Sequence, residues 1–346
     1  MFRSLQSLRG LFALGIFAHH FFGFEAGGDC GVSFFLILSG FVLCNGFEDR
    51  ICRGEISYGR FVCDRLSKIY PLHVLCLAAA IAVQLPVLTA ADILPDVSNL
   101  LLLQAWIPDS SYYFSGNSIS WFLSALLFAY LLFPPLVRLP GHLGLRGTAS
   151  GICAMLTVYF LAVYFTQHMV NNFIYVNPMM RLTDFVLGMF LWQIWRRGCD
   201  SRAVAYLRAR PAAVRTLAEG AAIAVFAGAL MIYAYIPPQY SAASLWWMPS
   251  MLLIGTFTVL DARGGLFTRL LHLRPLISFG NVSFSFYMIH IVAGEYLRVL
   301  LEKLGIPVTY QVFVWILLFL TIAASYPVSR WFERPAAALW RRYFCR

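Results

Sequence analysis

Long apolar runs separated by short polar stretches recur along the whole chain, at 6–24, 31–47, 69–89, 119–138, 148–167, 179–196, 215–236, 246–261, 276–299 and 309–331. Each suffices to cross about 30 Å of hydrocarbon as a helix. The pattern therefore predicts an all-α, polytopic integral membrane protein: a single transmembrane domain over 1–346, with about ten spans around a central polar cavity or tunnel. An even number of crossings places both termini on one side. Two connections break the pattern. Residues 90–118 contain VSNLLLLQAWI, too short to cross, which predicts an interfacial or re-entrant helix. Residues 196–215 set six arginines against Asp200 and predict a basic, lipid-facing helix. The first run follows a basic start, as in a signal peptide. It lacks a small-x-small cleavage site and is interrupted by His19 and His20, so it reads as a retained span.

Composition agrees: 60% of the 346 residues are hydrophobic and 12% charged, unlike a soluble domain. Charge adds direction. All but Arg181, Arg298 and Lys303 of the 26 basic residues fall in loops on one side. The opposite loops carry Glu25, Asp29, Asp92, Asp96 and Asp109, or no charge. By the positive-inside rule the basic side, with both termini, is cytoplasmic. The net charge of +10 is then a topology signal and an attraction to membrane lipid headgroups, and nucleic acid is excluded as a partner. The eight cysteines are scattered without zinc or disulfide spacing, which predicts free thiols and no metal.

Within the spans, several side chains are costly to place in lipid. Arg9 and His20 are eleven residues apart, so at about 100° per residue they share one helix face, roughly 16 Å apart along the axis. His19 points about 100° away from that line. His20 is thereby placed deep in the bilayer, buried, and Arg9 near one surface. Arg60, Arg65 and Lys68 stand at the mouth of the third span, where guanidinium and ammonium groups suit donor phosphates. Trp121, Ser124 and Tyr130 lie in an apolar helix, Trp121 as an interface aromatic. Arg181 and Asp184, at i and i+3, neutralise each other and suit structure as well as function. Asn281, Ser283, Ser285, Tyr287 and His290 give the ninth span a polar surface. Glu333 sits beside arginines at the end of the tenth, a stabilising position.

These segments, in order, resemble the membrane-bound acyltransferase-3 family: the Arg9/His20 spacing, GVSFFLILSGF at 31–41, KIYP at 68–71, W-x-LS and YLLFP at 121–134, R-x-x-D-F-x-x-G at 181–188, GNVSFSFYMIH at 280–290, and ERP at 333–335. The resemblance covers nearly the whole chain. It departs at Lys68, where the family often has arginine, and at Leu126, where many members have glutamate. It implies an O-acyltransferase of a bacterial-type inner (plasma) membrane. Such an enzyme takes an acyl group, commonly acetyl from acetyl-CoA, on the cytoplasmic side and delivers it to a hydroxyl of an extracytoplasmic glycan or other acceptor. On that reading His20 is the base, or itself accepts the acyl group. Arg9, Arg60, Arg65 and Lys68 bind the acyl-CoA donor. Trp121, Ser124, Arg181, Asp184, Asn281, Tyr287 and His290 line the acceptor part of the cavity. A proton-coupled transporter is the rival reading, although no repetition relates 1–170 to 171–346. A non-catalytic scaffold would leave His20, Arg181 and His290 without a purpose.

Overall fold

The structure is a computed structural model that describes residues 2–345, and among these there is no strand. Helices α1 (Arg3–Phe22) and α2 (Glu25–Cys52) form a hairpin that turns at Gly23. Its φ of 71° is a left-handed conformation that glycine adopts without strain. α3 (Tyr58–Gln84) starts at Ser57, whose hydroxyl accepts from the Arg60 N–H. After α4 (Ile93–Leu100) and several short turns comes α5 (Trp121–Thr166). It is two helices joined at Gly144 (φ 63°, ψ −174°), so the predicted connection between the fourth and fifth runs is little more than a kink. There follow α6 (Pro178–Gly198), α7 (Arg202–Ala209), α8 (Ala212–Ile232) and α9 (Trp247–Leu260). The last quarter holds α10 (Arg274–Asn281), α11 (Ser283–Leu304), α12 (Tyr310–Pro327) and α13 (Arg334–Phe344).

Among the described residues, seven helices are long and apolar enough to cross a membrane: α2, α3, the two halves of α5, α8, α11, and the run from α12 into α13. The remaining predicted segments, 6–24, 179–196 and 246–261, fall on α1, α6 and α9. α1 and α6 carry ionisable side chains, and α9 stops after 14 residues.

Glycines of the sequence motifs set the closest helix contacts. A Cβ on Gly188 of α6 would lie 1.8 Å from the Ile37 carbonyl oxygen, and one on Gly40 of α2 would lie 2.0 Å from that of Phe185. The two backbones therefore touch, as small residues permit in membrane bundles. Gly280 does the same for α10 against α1, 1.9 Å from the Gln6 carbonyl oxygen. That contact fixes the register of Asn281 and α11 against the face of α1 that bears Arg9.

Three expectations need correction. The run VSNLLLLQAWI does not form one helix: α4 ends at Leu100, and Leu102 has a φ of 56° with its side chain buried. The Asn99 and Gln104 side chains join Ser120 in a hydrogen-bonded knot that the apolar pattern hides. Residues 196–215 are not one lipid-facing helix. α7 covers only 202–209, and Arg208 and Arg215 fold back to donate to the carbonyls of Val259 and Gly264. Finally, Cys63 and Cys345 are not free; they form a disulfide across 282 residues of sequence. α13 returns along α3, with Arg341 3.5 Å from Asp64 and Trp340 against Tyr70, a proximity that spacing alone does not reveal.

Candidate active site

A cavity of about 480 Å³ opens among α1, α2, α3, α5, α11 and the turn before α13. Its polar walls are Gln6 and Arg9 of α1, Asn45 of α2, Arg65 and Lys68 of α3, Tyr130 of α5, and Glu333. Ile16, Phe35, Phe122 and Tyr287 form an apolar wall. Both sets follow from helix geometry. Gln6 precedes Arg9 by three residues and lies on its face; Ile16 is two turns further along the same helix.

The cations are unevenly satisfied. Arg65 pairs with Asp64 and lies 4.5 Å above the Phe47 ring, but its Nε is buried without a partner. Arg9 makes no ion pair among the described residues. The carboxylate in the same cavity, Glu333, accepts from the Ser285 hydroxyl. Three cations against one carboxylate leave net positive charge in a confined, partly apolar space. Such a space favours an anionic occupant.

Beyond the apolar wall stand the histidines. Ile16 and Tyr287 precede His20 and His290 by four and three residues, so the cavity stops about one helical turn, roughly 5 Å, short of them. The His20 and His290 ring centroids are 5.3 Å apart, and His19 is 4.9 Å from His20. The His20 side chain is exposed and not buried as expected. α1 ends two residues after it, leaving the ring uncovered on that side. α11 nevertheless continues to Leu304, roughly 20 Å past His290 at 1.5 Å per residue, so the pair sits well within the length of the bundle. His290 is 1% exposed, with Nδ1 2.6 Å from the Tyr287 carbonyl oxygen and Nε2 unpartnered.

Of the expected site residues, Arg9, Arg65, Lys68, Asn281 and Tyr287 line the cavity, and His20 and His290 stand just beyond it. Arg60 is exposed and outside it. Trp121 packs against Tyr175 with centroids 4.8 Å apart, and Ser124 is buried with no hydrogen bond; neither reaches the cavity. Arg181 and Asp184 form a fully buried pair elsewhere. The Arg181 guanidinium donates to the Tyr175 carbonyl (2.6 Å), the Ser33 hydroxyl (3.3 Å) and the Ala242 carbonyl (2.9 Å), with Asp184 at 3.6 Å. None of these four lines the cavity, where the sequence had placed them. The sequence reading missed Gln6, Ser39 and Asn45, gave Tyr130 no role, and left Glu333 to a stabilising one. The signal for Gln6 was its i, i+3 relation to Arg9; a single Asn in an apolar run gives none. Leu126, a point of departure from the family pattern, also lines the cavity.

The structure is thus a helical bundle of apolar spans around a cation-lined cavity that ends near two histidines. The chain belongs to the acyltransferase-3 family, whose acyltransferase domain matches residues 2–330. It is 29% identical over 326 residues to the acyltransferase MdmB of Streptomyces mycarofaciens, covering 85% of this chain and 79% of that protein. It is 28% identical over 320 residues to a putative membrane-bound transacylase, BcsY, of Komagataeibacter xylinus, covering 85% and 74%. A segment of 103 residues is 37% identical to protein 2 of the picA locus of Rhizobium radiobacter, covering 28% of this chain and 54% of that protein. No solved structure matches. The protein is a membrane acyltransferase.

Proposed function

We propose that this protein moves an acyl group, acetyl in its natural setting, from cytoplasmic acyl-CoA to a hydroxyl of an extracytoplasmic, carbohydrate-type acceptor. All ten segments cross a bacterial inner membrane in this reading, with both termini in the cytoplasm, in keeping with the positive-inside distribution. The observation that carries it is the convergence of Arg9, Arg65 and Lys68 on one cavity that ends a turn short of His20. The nucleotide phosphates lie against the three cations. The pantetheine arm runs along Phe35, Phe122 and Tyr287 and brings the thioester to the histidine. His20 takes the proton from the acceptor hydroxyl, the oxygen bonds to the acyl carbon, and the carbon–sulfur bond breaks. The proton then passes to the departing thiolate, and CoA leaves as the free thiol. Glu333 offsets part of the cationic charge, so that the product CoA can depart.

Cells carrying the wild-type protein should show envelope glycans heavier by one acyl unit, and membranes supplied with acetyl-CoA should release free thiol. His20→Ala should reduce both to background while the protein remains inserted and still binds CoA. Full activity in that variant overturns the assignment of the base. Substrate movement across vesicles without thiol release would favour the transporter reading instead.

A further inference from the structure

The reading above uses one histidine, yet the structure pairs it with another. We propose that His290 is a positioning residue for His20: its Nε2 accepts a hydrogen bond from a His20 ring N–H and so fixes which His20 nitrogen is free to act as base. The inference rests on the proposed role of His20. Its evidence is the chemistry of the His290 ring. A carbonyl oxygen only accepts, so the nitrogen 2.6 Å from the Tyr287 carbonyl, Nδ1, carries the hydrogen of a neutral imidazole. Nε2 is then a bare lone pair, and it is buried with no partner. Leaving such an acceptor unsatisfied costs stability, so the site is built for a donor.

Of the rings packed on His290, Phe17, Phe21 and Phe286 offer no donor, and the Tyr287 hydroxyl is engaged with the Ile119 carbonyl at 2.8 Å. His20, at 5.3 Å between centroids, offers a ring N–H. That separation lets the bond form directly, after a small rotation, or through one water. His19 is held in the same manner by the Glu25 carbonyl (2.9 Å), but it is only half-buried, and water can serve its other nitrogen. The consequence for the reaction is a proton with a defined start and end. With one His20 nitrogen committed as a donor to His290, the other holds its lone pair toward the acceptor hydroxyl. When His20 takes that proton, the resulting imidazolium is stabilised by the hydrogen bond to His290, as the orienting member of a catalytic triad does for its histidine.

The test compares His290→Leu, His290→Phe and His290→Gln with the wild type in native membranes supplied with labelled acetyl-CoA. Leucine and phenylalanine remove the acceptor; phenylalanine keeps a ring against Phe286 if the leucine variant fails to accumulate. Glutamine restores an acceptor oxygen. The maximal rate should fall about 10²-fold in the apolar variants, the size of a general-base contribution, with the KM for acetyl-CoA changed by less than about twofold. Glutamine should recover about tenfold of that loss. If the apolar variants keep a rate near that of the wild type while His20→Ala is inactive, the pairing is wrong and the base assignment stands. If glutamine and leucine lose rate and thermal stability alike, His290 is only packing. If His20→Ala is itself fully active, the parent reading fails.

Discussion

Arg181 and Arg9 are both arginines on apolar helices, and the protein treats them in opposite ways. Around Arg181 the chain supplies two carbonyls, a hydroxyl, the Asp184 carboxylate and the Tyr175 ring 4.8 Å away, and the Trp247 indole N–H donates to Asp184 Oδ1 at 3.0 Å. Arg9 faces a cavity wide enough for a ligand and is given no carboxylate partner there beyond the shared presence of Glu333. An ionisable side chain in a membrane is costly, but that cost alone does not say what the residue is for. Where the protein satisfies the donors itself, the charge holds helices together. Where it leaves them open to a cavity, the charge is held ready for something that enters.

The comparison is broken most forcefully at Arg181. Arg181→Ala strands the Asp184 carboxylate in the core and frees the Tyr175 and Ala242 carbonyls. Removing one partner of a buried pair in this way costs about 3–5 kcal/mol. Thermal unfolding in detergent should therefore show a large drop in midpoint, with loss of activity following the loss of folded protein. A variant that unfolds like the wild type but no longer turns over would return Arg181 to the site. Arg9→Gln should give the reverse result. Stability should be nearly unchanged, while CoA binding measured by calorimetry weakens by about 10- to 100-fold, as expected when one charge-assisted bond worth about 1.5–3 kcal/mol is lost. Unchanged CoA affinity would remove the donor from this cavity.

The helices were legible because the apolar runs are long and their punctuation is clear; each predicted run falls mostly on helix, although 69–89 outlasts α3 by five residues and 276–299 is split between α10 and α11. The Arg9/His20 face was legible because one straight helix preserves angular relations over three turns. What the sequence hid was tertiary. Arg181 and Asp184 looked equally suited to either role because their partners, Ser33, Tyr175 and Ala242, come from distant segments. Glu333 looked like a terminal stabiliser because its approach to the cavity depends on α12 ending beside α1 and α3. The Cys63–Cys345 bond lies beyond any spacing rule at a separation of 282 residues. The exposure of His20 follows from where α1 stops, and the bilayer-length pattern, which runs on to residue 24, gave no sign of it.

The smallest expected effect separates two cations that sequence proximity had grouped. Arg65 and Lys68 are three residues apart, about 300° around the helix and hence only about 60° from each other, whereas Arg60 is five residues from Arg65, about 140° away on the α3 surface. That rotation, together with about 12 Å of axial rise between Arg60 and Lys68, takes Arg60 out of the wall to which Arg65 and Lys68 belong, and the structure leaves it exposed. Its backbone N–H serves the Ser57 cap, a role that any side chain at the position keeps. Arg60→Ala should therefore leave CoA affinity within about twofold of the wild type, the range of an isolated surface charge. Lys68→Ala, which removes a point charge from the wall, should weaken it about tenfold, the equivalent of about 1.4 kcal/mol. Equal losses from both substitutions would mean that the donor is held by the general positive field of the membrane face, and the cavity geometry would then explain nothing about how the donor is bound.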